Sequence, residues 1–132
     1  MDFLDRVIDY IEANVSLYAP IRVGILSDDD SIAIRPTPST PPEGYLIGDR
    51  ARNFPFQVLT QHSQANIAYQ ALEAITEALD GLRNEAITSS DGSFVFVKCE
   101  VYTGPNFVEV TSRGKHIYTA IYQAELLTEK EV

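Results

Sequence analysis

The most regular pattern of hydrophobic and polar positions spans residues 54–82. Apolar and polar residues alternate over 54–61, which is the two-residue period of a strand with one buried face. Beyond this strand, apolar residues recur at spacings of three and four: Ile67, Ala68, Ala71, Leu72, Ile75, Ala78, Leu79 and Leu82. At about 100° per residue they form one stripe along a helix. The pattern predicts a strand followed by a helix that covers a sheet, with Ser63 as its N-cap and Gly81 at its end.

A second amphipathic helix is predicted over residues 2–15. Its apolar side consists of Leu4, Val7, Ile8, Ile11 and Val15, and its acidic side of Asp2, Asp5, Asp9 and Glu12. Such an acidic row is typical of a solvated helix face. Asp2 and Asp5 also suit the positive end of the helix dipole.

Two short strands are predicted at residues 21–26 and 31–35, joined by a polar hairpin turn. The turn contains Asp28, Asp29 and Asp30, but the alternating ligand spacing and the distal Glu of a calcium loop are missing. Further along, strands at 93–103, 107–111 and 117–126 predict an antiparallel meander with turns at 103–106 and 112–116.

The first strand of this meander has two unlike faces. One face carries Val95, Val97, Cys99 and Val101, and the other carries Phe94, Phe96, Lys98, Glu100 and Tyr102. In chain order the elements predict a single α+β domain over residues 1–132, with a mostly antiparallel sheet packed by two helices.

Residues 36–53 differ in composition from the rest of the chain. They contain Pro36, Pro38, Pro41 and Pro42, followed by Tyr45, Leu46 and Ile47. Because proline disfavours both a helix interior and a central strand, we expect a long proline-rich arm that leaves the body of the domain. The apolar residues of this arm indicate docking, either on the protein's own core or on a neighbour, and both alternatives stay open.

The net charge, the cysteine count and the lack of long apolar runs exclude several classes of function. The chain of 132 residues carries a formal net charge of −9, which argues against a protein that grips nucleic acid by its phosphates. It does not argue against a protein that DNA slides past. The single Cys99 excludes an internal disulfide and a cysteine zinc site. The acidic N-terminus does not suit a secretory signal, and no apolar run reaches the ~20 residues of a membrane span.

Residues that carry chemistry are sparse. The two histidines, His62 and His116, have no nucleophile motif beside them, and the glycines form no phosphate-binding loop. The carboxylates are spread along predicted solvated faces, so no pair indicates acid–base catalysis. The sequence therefore predicts no catalytic, metal or cofactor-binding residue, and no enzyme.

Three stretches resemble a known family. They are the acidic first helix from Asp2 to Ile8, the segment from Asn53 through His62-Ser63 into the long helix, and the C-terminal pattern of Tyr102-Thr103-Gly104-Pro105 with residues 114–122. Together they resemble the tail terminator proteins of long-tailed bacteriophages, also called tail completion or minor capsid proteins. The likeness lies in pattern, size and element order over most of the chain.

The resemblance implies a structural, non-enzymatic virion protein made in the host cytoplasm. It implies a ring, usually a hexamer, that caps the growing tail tube, stops polymerisation and meets the head-completion or connector protein. DNA would pass through the ring without specific binding.

A ring needs two different patches that meet between neighbouring subunits. The sequence offers the arm and the exposed edges of the meander. The candidate residues for contact with a subunit or a neck protein are Pro41, Pro42, Tyr45, Leu46, Ile47, Arg50 and Arg52. The candidates for the lumen are Asp2, Asp5, Asp9 and Glu12, against the alternative that they face solvent outside the ring.

Two other functions remain open from the sequence. One is a head-completion or neck connector protein. The other is a soluble module that binds a ligand or peptide in an apolar pocket. Such a pocket would be lined by Phe94, Phe96, Tyr102, Tyr118 and Tyr122, although aromatic residues at strand spacing are more typical of a core.

Overall fold

The protein's structure, a computed structural model, describes residues 2–38 and 51–128. In chain order the elements are α1 (Phe3–Asn14), β1 (Ile21–Val23), β2 (Ser31–Pro36), β3 (Ala51–His62), α2 (Ala65–Leu79), β4 (Leu82–Arg83), β5 (Phe94–Val110) and β6 (His116–Thr128). The strands form one sheet in the order β1-β2-β3-β6-β5-β4. All strand pairs are antiparallel except β1 with β2. The predicted α+β class is confirmed.

The helix α2 covers the sheet as its pattern predicts. Ala68, Leu72, Ile75 and Leu79 are fully buried, and the long strands β3 and β6 lie beneath them. The hydroxyl of Thr60 on β3 donates to the Ala68 carbonyl oxygen at 2.9 Å. Apolar packing and a buried hydrogen bond therefore both hold the helix on the sheet.

The start of α2 differs from the prediction. The N-cap position is Gln64, without a side-chain cap, and Ser63 precedes it. The backbone amide of Ser63 donates to the Asp30 carboxylate at 3.0 Å. This tertiary contact positions the chain before the helix, so Ser63 as N-cap was wrong. Gly81 does follow the helix end, with a positive φ of 82°.

The helix α1 packs on the same side of the sheet through aromatic residues. The ring centre of Phe3 lies 4.9 Å from that of Phe54 and 5.2 Å from that of Phe94. Val7 and Ile11 continue the buried side. The predicted span of 2–15 exceeds the observed helix by one residue at each end.

The predicted hairpin between β1 and β2 is wrong, because the two strands pair in parallel. The chain between them crosses the face of the sheet opposite the helices. There the buried side chain of Gln61 donates to the carbonyl oxygens of Ser27 at 2.7 Å and Asp29 at 2.6 Å. These bonds satisfy the connection's backbone over the sheet, which a local turn pattern does not reveal.

The predicted three-stranded meander is also wrong. β5 runs from Phe94 to Val110 as one strand and pairs with β6 along its length, with irregular register between Thr103 and Asn106. The side chain of Asn106 donates to the carbonyl oxygens of Gly104 at 2.9 Å and Thr119 at 3.1 Å. The Gly-Pro pair is therefore accommodated as a bulge. The turn at 112–116 is confirmed, since Thr111 N–H donates to the Lys115 carbonyl at 2.8 Å.

A second irregularity changes which face of β5 is buried. Phe94, Phe96 and Cys99 are all in the core, although strict alternation puts the cysteine opposite the two phenylalanines. The register shifts between Phe96 and Lys98. Because of this extra residue, odd-numbered positions such as Cys99 face the core after the shift, whereas even-numbered positions face it before the shift. The prediction of two uniform faces fails for that reason.

Candidate subunit interface

Both ends of the predicted arm, residues 36–53, belong to strands. Pro36 is the last residue of β2 and pairs with Phe56, and Ala51 to Asn53 pair with β6. Pairing along the long β3 extends into the sequence assigned to the arm. Of the predicted interface residues, Arg52 lies exposed on β3, opposite Leu126. The others lie outside the described residues: Pro41, Pro42, Tyr45, Leu46, Ile47 and Arg50.

The four predicted lumen residues fall into two groups. Asp5 and Asp9 are exposed on the side of α1 away from the sheet, and Asp9 pairs with Arg6 at 3.2 Å. The exposed Glu12 accepts a hydrogen bond from the backbone amide of Ile21 at 3.0 Å, so it caps the start of β1. Asp2 precedes the helix and is bound by other residues. No described contact tests a position in a channel.

Asp2 is held by a serine cluster that sequence reasoning missed. Its carboxylate accepts hydrogen bonds from the Ser90 hydroxyl at 2.6 Å and amide at 2.9 Å, and from the hydroxyls of Ser89 and Ser93. These bonds, led by the Ser90 hydroxyl, hold the pKa of Asp2 well below its usual range. The available signal was the polar run of serines just before β5.

A second acidic contact, centred on Asp30, joins two loops at one end of the sheet. Asp30 accepts from the Lys115 ammonium at 2.7 Å, and its other oxygen lies 3.2 Å from His62 Nε2. The Lys115 hydrogen bond lowers the pKa of Asp30. His62 Nδ1 accepts from the Gln64 amide at 2.9 Å, so both ring nitrogens have structural contacts. The arrangement joins the β1–β2 connection to the β5–β6 turn.

The described part of the chain offers no group of three His, Cys, Asp or Glu side chains placed to hold a metal. Cys99 is buried, and burial raises the pKa of its thiol to about 12, which keeps it protonated and unreactive. The aromatic residues proposed for a ligand pocket are divided. Phe94, Phe96 and Tyr122 are core, whereas Tyr102 is exposed beside a shallow cleft of about 320 Å³.

Within the described residues, the outer edge of β5 beyond Cys99 carries several exposed apolar side chains. β4 pairs with β5 only at Lys98 and Cys99. Past Cys99, no strand within residues 2–38 or 51–128 pairs with this outer edge. The exposed apolar residues here are Tyr102, Phe107, Val108 and Val110, with Tyr102 72% and Phe107 53% exposed. An unpaired apolar strand edge is a template for pairing with another chain.

Aromatic contacts extend this surface toward α2. The ring of Tyr118 lies 5.6 Å, centre to centre, from both Phe107 and Tyr69. Tyr69 itself is exposed on the first turns of α2. A continuous apolar strip therefore runs from the strand edge to the helix.

The opposite edge of the sheet is β1. It carries exposed Val23, and Ile25 just beyond it is 76% exposed. Arg22 lies between the strand's two apolar residues and is also exposed. The sheet thus ends in two different edges, both with apolar residues accessible to another chain.

No helix in the described part of the chain combines the length and apolarity needed to span a membrane. A search of curated proteins finds no match. A family model described as bacteriophage tail terminator protein matches residues 10–128. This match covers the whole described sheet, α2 and the C-terminal part of α1, and it shows that the chain belongs to the bacteriophage tail terminator family, whose members are structural proteins of the phage tail.

Proposed function

We propose that this protein forms a ring, a hexamer in the family's usual form, that caps the tail tube and stops its polymerisation. The other face of the ring meets the head-completion or connector protein. The observation that carries the proposal is the family match over residues 10–128. The role is structural and needs no catalytic group.

The two unlike sheet edges support ring formation. A closed ring larger than a dimer is built from heterologous contacts, in which one patch meets a different patch on the next subunit. The outer edge of β5 beyond Cys99 and the edge strand β1 are two such patches at opposite ends of one sheet. The arm predicted from the sequence adds a third candidate through Tyr45, Leu46 and Ile47, which lie outside the described residues.

The acidic balance supports passage of DNA through the ring. The net charge is −9, and the outer side of the helix layer carries exposed Asp5, Asp9, Glu73 and Glu77. Like charge keeps phosphates from adhering to a wall, within a Debye length of about 8 Å at physiological salt. In this proposal the acidic row of α1 faces the lumen, with Asp5 and Asp9 as its exposed carboxylates on the side away from the sheet.

Tube growth tests the function. Purified tail tube protein of the same phage is allowed to polymerise with and without this protein, and tube length is measured by electron microscopy. We expect growth to stop at substoichiometric amounts, with a ring of density at one tube end, because one ring suffices for each tube. Continued elongation with bare ends would contradict the proposal.

The chain offers a matched control for that experiment. Leu72 lies on the side of α2 that faces the sheet and is fully buried, so Leu72→Asp places an unpaired charge in the core and prevents folding. An equal amount of this variant should leave tube growth unchanged. Binding of head-completion protein to capped tubes, but not to bare ones, tests the second face of the ring.

A further inference from the structure

We propose that the ring closes by continuing the sheet from one subunit to the next, with the outer edge of β5 at residues 102–110 pairing with β1 of the neighbouring copy. This inference rests on the proposed ring. It adds which surfaces meet, in which direction the strands run and which charges face each other.

The first argument is that both edges are accessible and apolar. Val108 and Val110 are about half exposed on β5, and Val23 is 55% exposed on β1. β4 stops at Arg83 and covers only Lys98 and Cys99 of its neighbour. On β1 the accessible apolar residue is Val23, since Ile21 is 8% exposed and its amide is bonded to Glu12. Joining the two edges buries apolar side chains on both.

The second argument is strand direction. β5 is antiparallel to β6, β6 to β3 and β3 to β2, while β1 is parallel to β2. β5 and β1 therefore run in opposite directions within one subunit. Rotation about a ring axis preserves the sense of each strand along that axis, so β5 meets the next subunit's β1 in antiparallel orientation. This is the commoner pairing, and it needs no reversal of the subunit.

The third argument is charge. Arg22 is the exposed central residue of β1, and Glu109 is exposed near the end of β5. Arg22 pairs with Ala33, and Glu109 pairs with Ile117, both on the side of the sheet away from the helices. When the two edges meet, both side chains therefore lie on the same face and attract each other.

This charge contact also defines a register. With Arg22 opposite Glu109 in antiparallel pairing, Ile21 and Val23 come beside Val110 and Val108. Val110 pairs with His116 and so lies on the helix side of the sheet, as Ile21 and Val23 do, whereas the charges meet on the other face; Val108 lies at the register shift between Phe107 and Glu109. Exposed cross-strand pairs of this kind stabilise a sheet only modestly, but a ring repeats the contact at every interface.

Pairing of like edges is disfavoured by the same residues. Two β5 edges joined about a two-fold axis near Glu109 bring two carboxylates together, and two β1 edges bring together two Arg22 side chains. Either contact is isologous and closes as a dimer. The unlike pairing alone joins opposite charges and leaves a free edge at each end of the growing assembly.

Disulfide trapping tests the strand contact. Arg22→Cys and Glu109→Cys are made in separate chains, mixed, and oxidised both free and on tail tubes. Directly paired strands bring Cα atoms within the roughly 4.4–6.8 Å that a disulfide needs. We expect a covalent dimer in the mixture and none in either variant alone. Wild-type protein is the background control, since its one cysteine, Cys99, is buried.

Charge exchange tests the register independently. Glu109→Arg and Arg22→Glu should each weaken the subunit contact by up to about fivefold, while the double exchange restores it. Ring mass is measured by native mass spectrometry or sedimentation, and ring occupancy on tubes by microscopy. Glu77→Arg, which makes the same charge change on the exposed side of α2, should leave assembly unchanged.

The outcomes separate this inference from the function on which it rests. Rings that cap tubes but give no disulfide, and whose subunit contact is as strong in both single charge variants as in wild type, would overturn the β5–β1 contact and leave the terminator role intact. A wild-type protein that forms no ring, either free or on tubes, would overturn both. A disulfide together with rescue by the double exchange supports both.

Discussion

The two halves of β5 belong to one strand but differ in their role. The half that includes Phe94, Phe96 and Cys99 is buried by both helices and edged by β4. The half that includes Tyr102 and Phe107 pairs with the same β6 but has an open outer edge and exposed side chains. In both halves, pairing with β6 provides hydrogen-bond partners along the inner edge of β5. Burial of side chains distinguishes the half that stabilises the fold from the half available for assembly.

The largest expected difference between the halves is in folding. Phe96→Asp puts an unpaired charge into the core, at a free-energy cost of several kcal/mol, comparable with the whole stability of a small domain. Phe107→Asp places its charge on an exposed edge, so the protein should fold. Circular dichroism and thermal melting measure both. A soluble Phe96→Asp protein with a cooperative melt would refute the distinction.

The second difference is in assembly. Val108→Lys combined with Val110→Lys should change the free energy of unfolding by about 0.5 kcal/mol or less per site, since both residues are exposed. The same charges at an edge oppose pairing with another strand, so rings should be lost. Light scattering after size exclusion measures the assembly.

Val95→Lys is the matched control, because Val95 is an exposed valine in the covered half of the same strand. It should fold and assemble normally. Equal loss of rings in this control would show that added charge alone, and not the free edge, explains the effect.

A third prediction concerns how the covered half is anchored at its start. The serine hydrogen bonds lower the folded-state pKa of Asp2 below its ordinary value of 3.8. Stabilisation by the ionised carboxylate is therefore fully present above pH 3.8 and is lost as the pH falls toward the folded pKa. Wild type should melt above Asp2→Asn at pH 7, and the gap should narrow in acid. A gap independent of pH would mean that the carboxylate's charge is irrelevant.

The smallest expected effect on stability comes from α1, which lies outside both halves of the strand. Asp5→Lys with Asp9→Lys changes exposed positions and should leave folding and ring formation nearly unaltered. If the row faces the lumen, assembled rings should now retain DNA at low salt and release it at high salt. No retention at any salt concentration would remove α1 from the channel.

Where hydrophobic periodicity decided the structure, the sequence was a good guide. The stripe of α2 that contains Leu72 and Ile75 is buried as predicted. The apolar side of α1 is buried as well. Both patterns are local, and a helix with one apolar side has to cover something. The α+β class depended on these elements, the family resemblance depended on them together with the C-terminal pattern at 102–105 and 114–122, and both are confirmed.

The errors occurred where a distant contact outweighed a local signal. Thr103-Gly104-Pro105-Asn106 suggests a turn, but pairing with β6 carries the strand through it as a bulge. Asp28 to Asp30 suggest a hairpin, but Gln61, far along the chain, holds that connection across the sheet. Asp2 suits a helix dipole, but serines near residue 90 hold it.

By itself, the sequence determined the two helices, the central strand and the acidic character of the helix faces, because each follows from the order of neighbouring residues. Only the tertiary structure decided strand order, the bulges in β5 and which edges stay open. Which strands form the edges of the sheet depends on which strands pair with each other. The bulges arise because the 17-residue β5 pairs with the 13-residue β6. Both are set by contacts between residues far apart in the chain, which periodicity does not encode.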